Sequence, residues 1–335
     1  MKNFTYYRPT SPDQAIGLLE PRWGNTELLA GGTDLLDLQK EYIAQPSRVV
    51  SLASVAQLQN VSISDRAVTL GAGMTLAAIA NHASVKQHAA ALAQAASEVG
   101  GPQIRNMGTL GGNLCQRNRC WYFRDEHTNC LLKGGQRCFA LDGENKYHAV
   151  FAAGHRCVIV HPSTLAPVLI ALGATAEVQG PNNARRTVEL GKFFHAPTGP
   201  TEREHTLAAN ELILSVSIPI SAGQRSASYE VRHKQSYDWP LVQAAVAFQG
   251  GQNGAKATGV KIVLGHVAPT PHVAEAAQRA LDNRAITDAT ATAAGRAAAE
   301  GAKPLSQTGY KLRLIEVAVK RALLLAAGVR PYWEV

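Results

Sequence analysis

Apolar positions recur at two different periods along this chain, and the change of period marks its elements. Residues 27–30 read as a short strand that runs into Gly31-Gly32-Thr33-Asp34, after which Leu35, Leu36, Leu38 and Tyr42 return at helical spacing. The order is strand, glycine turn, helix. Residues 49–52 and 68–71 predict two further strands, and the Ala-rich stretches 75–82 and 85–99 predict helices. Residues 100–113 form a second glycine-dense turn region. From Cys115 to Cys157 neither period persists, so this stretch predicts a long ordered loop, of a length that is usually functional or tied down by something other than secondary structure. Regular structure resumes at 158–160, 167–172 and 175–179. Strand signals at 212–218, 229–233, 242–248 and 260–267, with Gly250-Gly251 and Asn253-Gly254 between the last two, predict an antiparallel meander. The chain is helical from Ala274, and 312–327 predicts a final helix stopped by Gly328 and Pro331. The whole reads as α+β, with the best boundary near Ala222–Gln224.

With 335 residues there is room for two or three domains. The 46% hydrophobic and 17% charged composition, without a long apolar run, excludes a membrane-spanning helix. The opening Met-Lys-Asn-Phe-Thr-Tyr-Tyr-Arg-Pro has no apolar core of a secretory signal. A cytoplasmic location is the expectation, and export to the periplasm would have to ride on a signal-bearing partner. The net charge of +8 comes from scattered residues with no nucleic-acid-binding signature, which argues against DNA or RNA and for solubility and docking surface.

Chemistry concentrates in three places. Gly31-Gly32 and Gly111-Gly112 are turns of the kind that bring backbone N–H groups against a dinucleotide pyrophosphate, because glycine lacks a Cβ and tolerates positive φ. Each alone is more often a tight connection. Neither matches the spaced glycines of a Rossmann fold or a phosphate loop. The third place is the cysteine stretch: Cys115, Cys120, Cys130, Cys138 and Cys157 are the only cysteines and lie within 43 residues. An odd count argues against a disulfide framework and for a metal or redox site. The gaps of four, nine, seven and eighteen residues lack the tight pairs of structural zinc and the compact ferredoxin run. An iron–sulfur cube, zinc with His127 replacing a sulfur, and buried unreactive thiols all remain open on spacing.

The chain resembles the FAD subunits of the xanthine dehydrogenase and carbon monoxide dehydrogenase family of molybdenum hydroxylases. The resemblance is carried by Leu28-Leu29-Ala30-Gly31-Gly32-Thr33-Asp34-Leu35, by Ile104-Arg105-Asn106-Met107-Gly108-Thr109-Leu110-Gly111-Gly112-Asn113-Leu114, and by Lys234-Gln235-Ser236-Tyr237-Asp238. In most of the family a Ser-Pro segment follows the Gly-Gly-Asn turn at once. Here His161-Pro162-Ser163-Thr164 resumes it, so residues 115–157 read as an insertion. The Asn-Leu-Cys-Gln-Arg and Cys-Trp-Tyr-Phe-Arg wording is similar to the cluster-bearing loop of bacterial heterotrimeric aldehyde oxidoreductases, and more distantly to that of 4-hydroxybenzoyl-CoA reductase.

That resemblance implies a vanillyl-alcohol-oxidase (PCMH) type FAD-binding fold in two subdomains over residues 1–223, and over 224–335 a CO dehydrogenase flavoprotein C-terminal type domain, an antiparallel sheet with helices. It implies that Leu28, Leu29, Ala30, Gly31, Gly32, Thr33, Asp34 and Leu35 line the FAD pyrophosphate, with Thr109, Gly112, Asn113 and Cys115 at the second turn, Ser163 and Thr164 after the insertion, and Leu214 and Lys234 opposite. Thr164 stands where the family commonly has Asp. Cys120, Cys130, Cys138 and Cys157 would hold a [4Fe–4S] cluster, leaving Cys115 to the flavin. The implied function is electron transfer in a molybdenum-dependent aldehyde oxidoreductase, with a large molybdopterin subunit and a small [2Fe–2S] subunit as partners. A xanthine dehydrogenase-like or hydroxybenzoyl-CoA reductase-like subunit is the alternative within the family, and a metal-stapled scaffold without turnover the alternative outside it.

Overall fold

The computed structural model describes residues 1–233, 237–251 and 254–329. Three sheets organise it. Thr5–Tyr7 (β1), Thr26–Leu29 (β2) and Arg48–Ser51 (β3) form a small parallel sheet in the order β1-β3-β2. Val61–Ile63 (β4), Ala67–Gly71 (β5), Thr175–Gln179 (β6), Arg185–Glu189 (β7) and Leu212–Pro219 (β8) form an antiparallel sheet in the order β4-β5-β8-β6-β7. The third sheet holds three of the four strands predicted as a meander: Gln224–Val231 (β9), Val242–Gly250 (β10) and Lys256–Gly265 (β11), with His272–Val273 (β12) beside β11 and Arg284–Ala285 (β13) on its far end, whereas the predicted strand 212–218 is β8 and pairs with β5 and β6 in the second sheet. The α+β class stands.

Composition explains the layering. β10 is buried on both faces through Phe248, and its Ala244, Ala245 and Ala247 are small enough to let helices approach closely on either side. One face meets the helices Ala90–Glu98 and Leu165–Ala171. The other meets Tyr310–Ala326, whose Ile315, Ala318, Val319, Ala322, Leu323 and Ala326 form one apolar stripe at helical spacing.

Three further segments differ from the sequence pattern. The stretch 85–99 breaks at Ala89 (φ −141°) into Ala83–His88 and Ala90–Glu98. The glycine-dense region holds two short helices, Pro102–Met107 and Leu110–Cys115, the second started by Thr109, whose hydroxyl accepts the Gly112 N–H at 3.1 Å. Residues 158–160 are buried but join no sheet.

The cysteine stretch is ordered by its own small core and by docking. Phe123, Cys130, Leu131, Leu132, Cys138, Ala140 and Cys157 pack with Leu38, Val158 and Ile159. Its far end is sewn to the C-terminal part of the chain: Asn145 N–H donates to Gln307 Oε1 (2.9 Å), Gln307 N–H returns to Asn145 Oδ1 (3.0 Å), and Asn145 Nδ2 reaches Ser306 Oγ and the Ala140 and Gly143 carbonyls. Lys311, fully buried, donates to the carbonyls of Tyr147 (3.2 Å) and His266 (2.8 Å). Asn145→Ala would strand several buried partners at once and should lower stability by about 2–4 kcal/mol. Denaturant unfolding checks the loss, and limited proteolysis should show new cuts within 115–157.

Candidate functional site

A cleft of about 1040 Å³ runs between the small parallel sheet and the rest of the molecule, at the upper end of the usual size of ligand sites. Both glycine turns line it, and they touch backbone to backbone. A Cβ on Gly31 would sit 1.8 Å from the Met107 carbonyl oxygen, so only glycine permits this approach. Gly32 takes φ +75°, the left-handed region that favours glycine. The second turn is fixed from behind. Leu110 and Gly111 donate their N–H groups to the carbonyls of Met74 and Ala72, and Leu76 donates to Gly108.

Of the residues singled out in the sequence, Leu28, Ala30, Gly31, Gly32, Thr33, Asp34, Leu35, Thr109, Gly112, Asn113, Cys115 and Thr164 line this cleft. Three do not. Leu29 packs beneath Gly32, Leu214 lies in the adjoining core with Ile16, Val55 and Leu58, and Ser163 stands behind the wall, where its hydroxyl donates to Asn113 Oδ1 at 2.6 Å. Lys234 lies outside the described residues.

Asp34 turns its carboxylate toward the start of the cysteine stretch. Oδ2 accepts the Arg117 N–H at 2.8 Å, and Oδ1 meets Arg124 Nη2 at 2.6 Å and Arg119 Nη1 at 2.9 Å. Residues without a sequence signal complete the wall or, in the case of Glu204, support it from behind. Glu204 is fully buried, with Oε1 accepting from Asn118 N and Nδ2 (3.0 and 2.8 Å) and Oε2 2.7 Å from Arg117 Nε. Burial alone would raise its carboxyl, but Arg117 and Asn118 prevail and hold it below the usual 4.5. Arg203 lies over the Trp23 ring and pairs with Glu27 at 3.0 Å. Glu230, buried, is pushed up to about 7 by desolvation despite its pairing with Arg232.

The five cysteines divide. Cys115 ends the helix Leu110–Cys115, packs against the core of the first part of the chain and faces the cleft, with burial pushing its thiol up to about 12. Cys120, Cys130, Cys138 and Cys157 share the small core of the loop and act on one another electrostatically. Burial pushes the Cys120 thiol up to about 12 as well and raises Cys130, while nearby backbone N–H groups, those of Phe123 and Tyr122 for Cys120 and of Leu132 and Lys133 for Cys130, act in the opposite direction. The proximity of Cys138 and Cys157 lowers the first thiol and raises the second. His127, the one histidine that spacing offered as a ligand, is exposed. His148 instead meets Cys120, with Nε2 3.2 Å from its sulfur, and burial pushes the ring down to about 4. Among the described residues no three His, Cys, Asp or Glu side chains converge as a site for a single metal ion. No helix among them is long and apolar enough to cross a membrane.

Comparison with known proteins fits this arrangement. A family model for the FAD binding domain in molybdopterin dehydrogenase matches residues 2–221, and one for the CO dehydrogenase flavoprotein C-terminal domain matches 227–326. The chain is 33% identical over 287 residues to the aldehyde oxidoreductase FAD-binding subunit PaoB of Escherichia coli K12, covering 85% of this chain and 88% of that one. It is 27% identical over 325 residues to the carbon monoxide dehydrogenase medium chain of Hydrogenophaga pseudoflava, covering 96% of each. A solved structure of carbon monoxide dehydrogenase from the same organism, lacking the Mo-pyranopterin moiety of its cofactor, superposes with a TM-score of 0.75 over 98% of both chains at 27% identity.

The buried Glu204 gives this wall a pH signature. A carboxylate held below 4.5 contributes stability that is present above that value and is lost as the pH falls through the lower folded value. The wild type should therefore lose stability on acidification below 4.5 more steeply than Glu204→Gln, as read by denaturant midpoints across that range. Parallel curves would mean that Glu204 carries no such linkage.

Proposed function

Because the chain belongs to the FAD-binding subunits of the molybdenum hydroxylase family, we propose that it is the electron-transferring FAD and [4Fe–4S] subunit of a molybdenum-dependent aldehyde oxidoreductase. The observation that carries this reading is the joining of two features at one place: paired glycine turns lining a dinucleotide-sized cleft, and a four-thiol loop fastened to the first turn through Asp34.

In this reading FAD lies along the cleft with its pyrophosphate against residues 28–35 and against Thr109, Gly112 and Asn113. Cys115 and Thr164 border the same ligand, Ser163 orients Asn113 from behind, and Leu29 and Leu214 support the wall. Lys234 is assigned by resemblance alone. Cys120, Cys130, Cys138 and Cys157 hold the cluster. Four thiolates are what a [4Fe–4S] cube takes, and these four cysteines share one small core. When bound, the two groups supply one-electron and two-electron storage. Substrate oxidation belongs to a large molybdopterin subunit, electrons arrive through a small [2Fe–2S] subunit, and the location follows whichever partner carries an export signal. The same reading divides the chain at 223/224, with 115–157 as the insertion. The aldehyde enzyme is favoured over other family members by the 33% identity to PaoB.

Gly32→Val forces a β-branched residue into φ +75° and against Leu29 and Leu36. The variant should purify flavin-poor, measured as FAD absorbance per chain, and full FAD occupancy would make the turn a mere connection. Cys115→Ser should keep four irons with at most a perturbed flavin, whereas Cys120→Ser should lose or degrade the cluster. Iron analysis and low-temperature EPR distinguish the two, and the reverse result would make Cys115 the ligand.

A further inference from the structure

Among the four clustered sulfurs, Cys120 meets a side chain that is not a cysteine, from elsewhere in the loop. The His148 Nε2 lies 3.2 Å from Cys120 Sγ, with the ring only 3% exposed. The ring is held in that position. His148 N–H donates to the Asn145 carbonyl at 2.9 Å, Trp121 meets the imidazole edge-on at a centroid distance of 5.5 Å, and Tyr122 lies at 6.3 Å. Asn145 is in turn fixed by Ser306 and Gln307, so the ring's placement derives from the docking of the loop on the C-terminal part of the chain.

The chemistry of the contact sets the tautomer. A cluster-bound thiolate offers lone pairs and no proton, so a ring nitrogen this close must be the donor and Nε2 must carry the hydrogen. Nδ1, buried without a partner, is then a bare acceptor, which costs less than an orphaned N–H. A hydrogen bond to a ligating sulfur stabilises the cluster most when it carries the extra electron, because the sulfur is then more negative.

We propose that His148 is a positioning residue that donates its Nε2–H to the Cys120 sulfur and raises the reduction potential of the cluster held by Cys120, Cys130, Cys138 and Cys157. The inference rests on the cluster reading above. It assigns a role to a histidine that no sequence spacing pointed to.

The test is an EPR-monitored redox titration of the full chain in its complex, comparing wild type, His148→Phe and His148→Gln. Phe fills the ring's space without a donor, and Gln places an N–H at similar reach. The Phe variant should favour the oxidised cluster about fivefold more at a given potential, the equivalent of one ordinary hydrogen bond, which is about 40 mV for a one-electron couple. The Gln variant should recover most of the shift. An unchanged midpoint in a Phe variant that retains four irons would overturn the proposal. Should that variant lose its cluster, ¹⁵N-histidine labelling of the wild type decides: weak ¹⁵N coupling to the reduced cluster is expected, and either no coupling or coupling strong enough for direct ligation overturns the role. A wild type without iron would instead overturn the cluster reading itself.

Discussion

The Asp34 carboxylate, at the tip of the first glycine turn, receives the backbone N–H of Arg117 and the guanidinium groups of Arg119 and Arg124. These groups are mostly shielded from water, so the contacts are stronger than ordinary surface pairs, each of the order of 1.5–3 kcal/mol for a hydrogen bond to a charged group. Their consequence is geometric. The turn that borders the cleft and the loop that carries the cysteines cannot move independently, and whatever the two hold is kept at a fixed separation. The remaining contacts of the loop extend this constraint: Glu204 grips Arg117 and Asn118 from the N-terminal part of the chain, while Gln307 and Lys311 grip Asn145 and Tyr147 from the C-terminal part.

A loop with little regular structure is ordered here because its polar backbone groups are satisfied by local turns, such as Lys133 N–H to the Cys130 carbonyl and Gly143 N–H to the Phe139 carbonyl, and by side chains, in place of a ladder. A buried thiolate without charge partners is unfavourable, and the backbone N–H groups beside Cys120 and Cys130, with Lys133 near Cys130, oppose that penalty and would favour the ionised form in a ligated cluster. Cys115 lacks such donors, consistent with its place on the cleft wall.

Local pattern made much of this legible. The strand before Gly31, the meander and the final helix each follow from a period that survives in the folded chain, and cysteine density alone marked the loop. Glycine hid the helix Leu110–Cys115, because its low propensity masks an element that contacts with Ala72 and Met74 stabilise, and Pro102–Met107, six residues between Gly101 and Gly108, is too short to show a period. Glu204 and His148 were illegible for another reason. Their partners lie 86 and 28 residues away, and a single buried polar contact leaves no periodic trace. Ser163 and Leu214 take supporting positions behind the wall of the cleft, a distinction of depth that the sequence motif does not carry. The motif's Lys234 lies outside the described residues.

The most direct measurement is the cofactor content of the purified full chain, by flavin absorbance, iron, sulfide and zinc analysis, and low-temperature EPR after reduction. The account predicts one FAD and four irons with four sulfides per chain, and a reduced-cluster signal. A colourless protein with stoichiometric zinc and no flavin would contradict it.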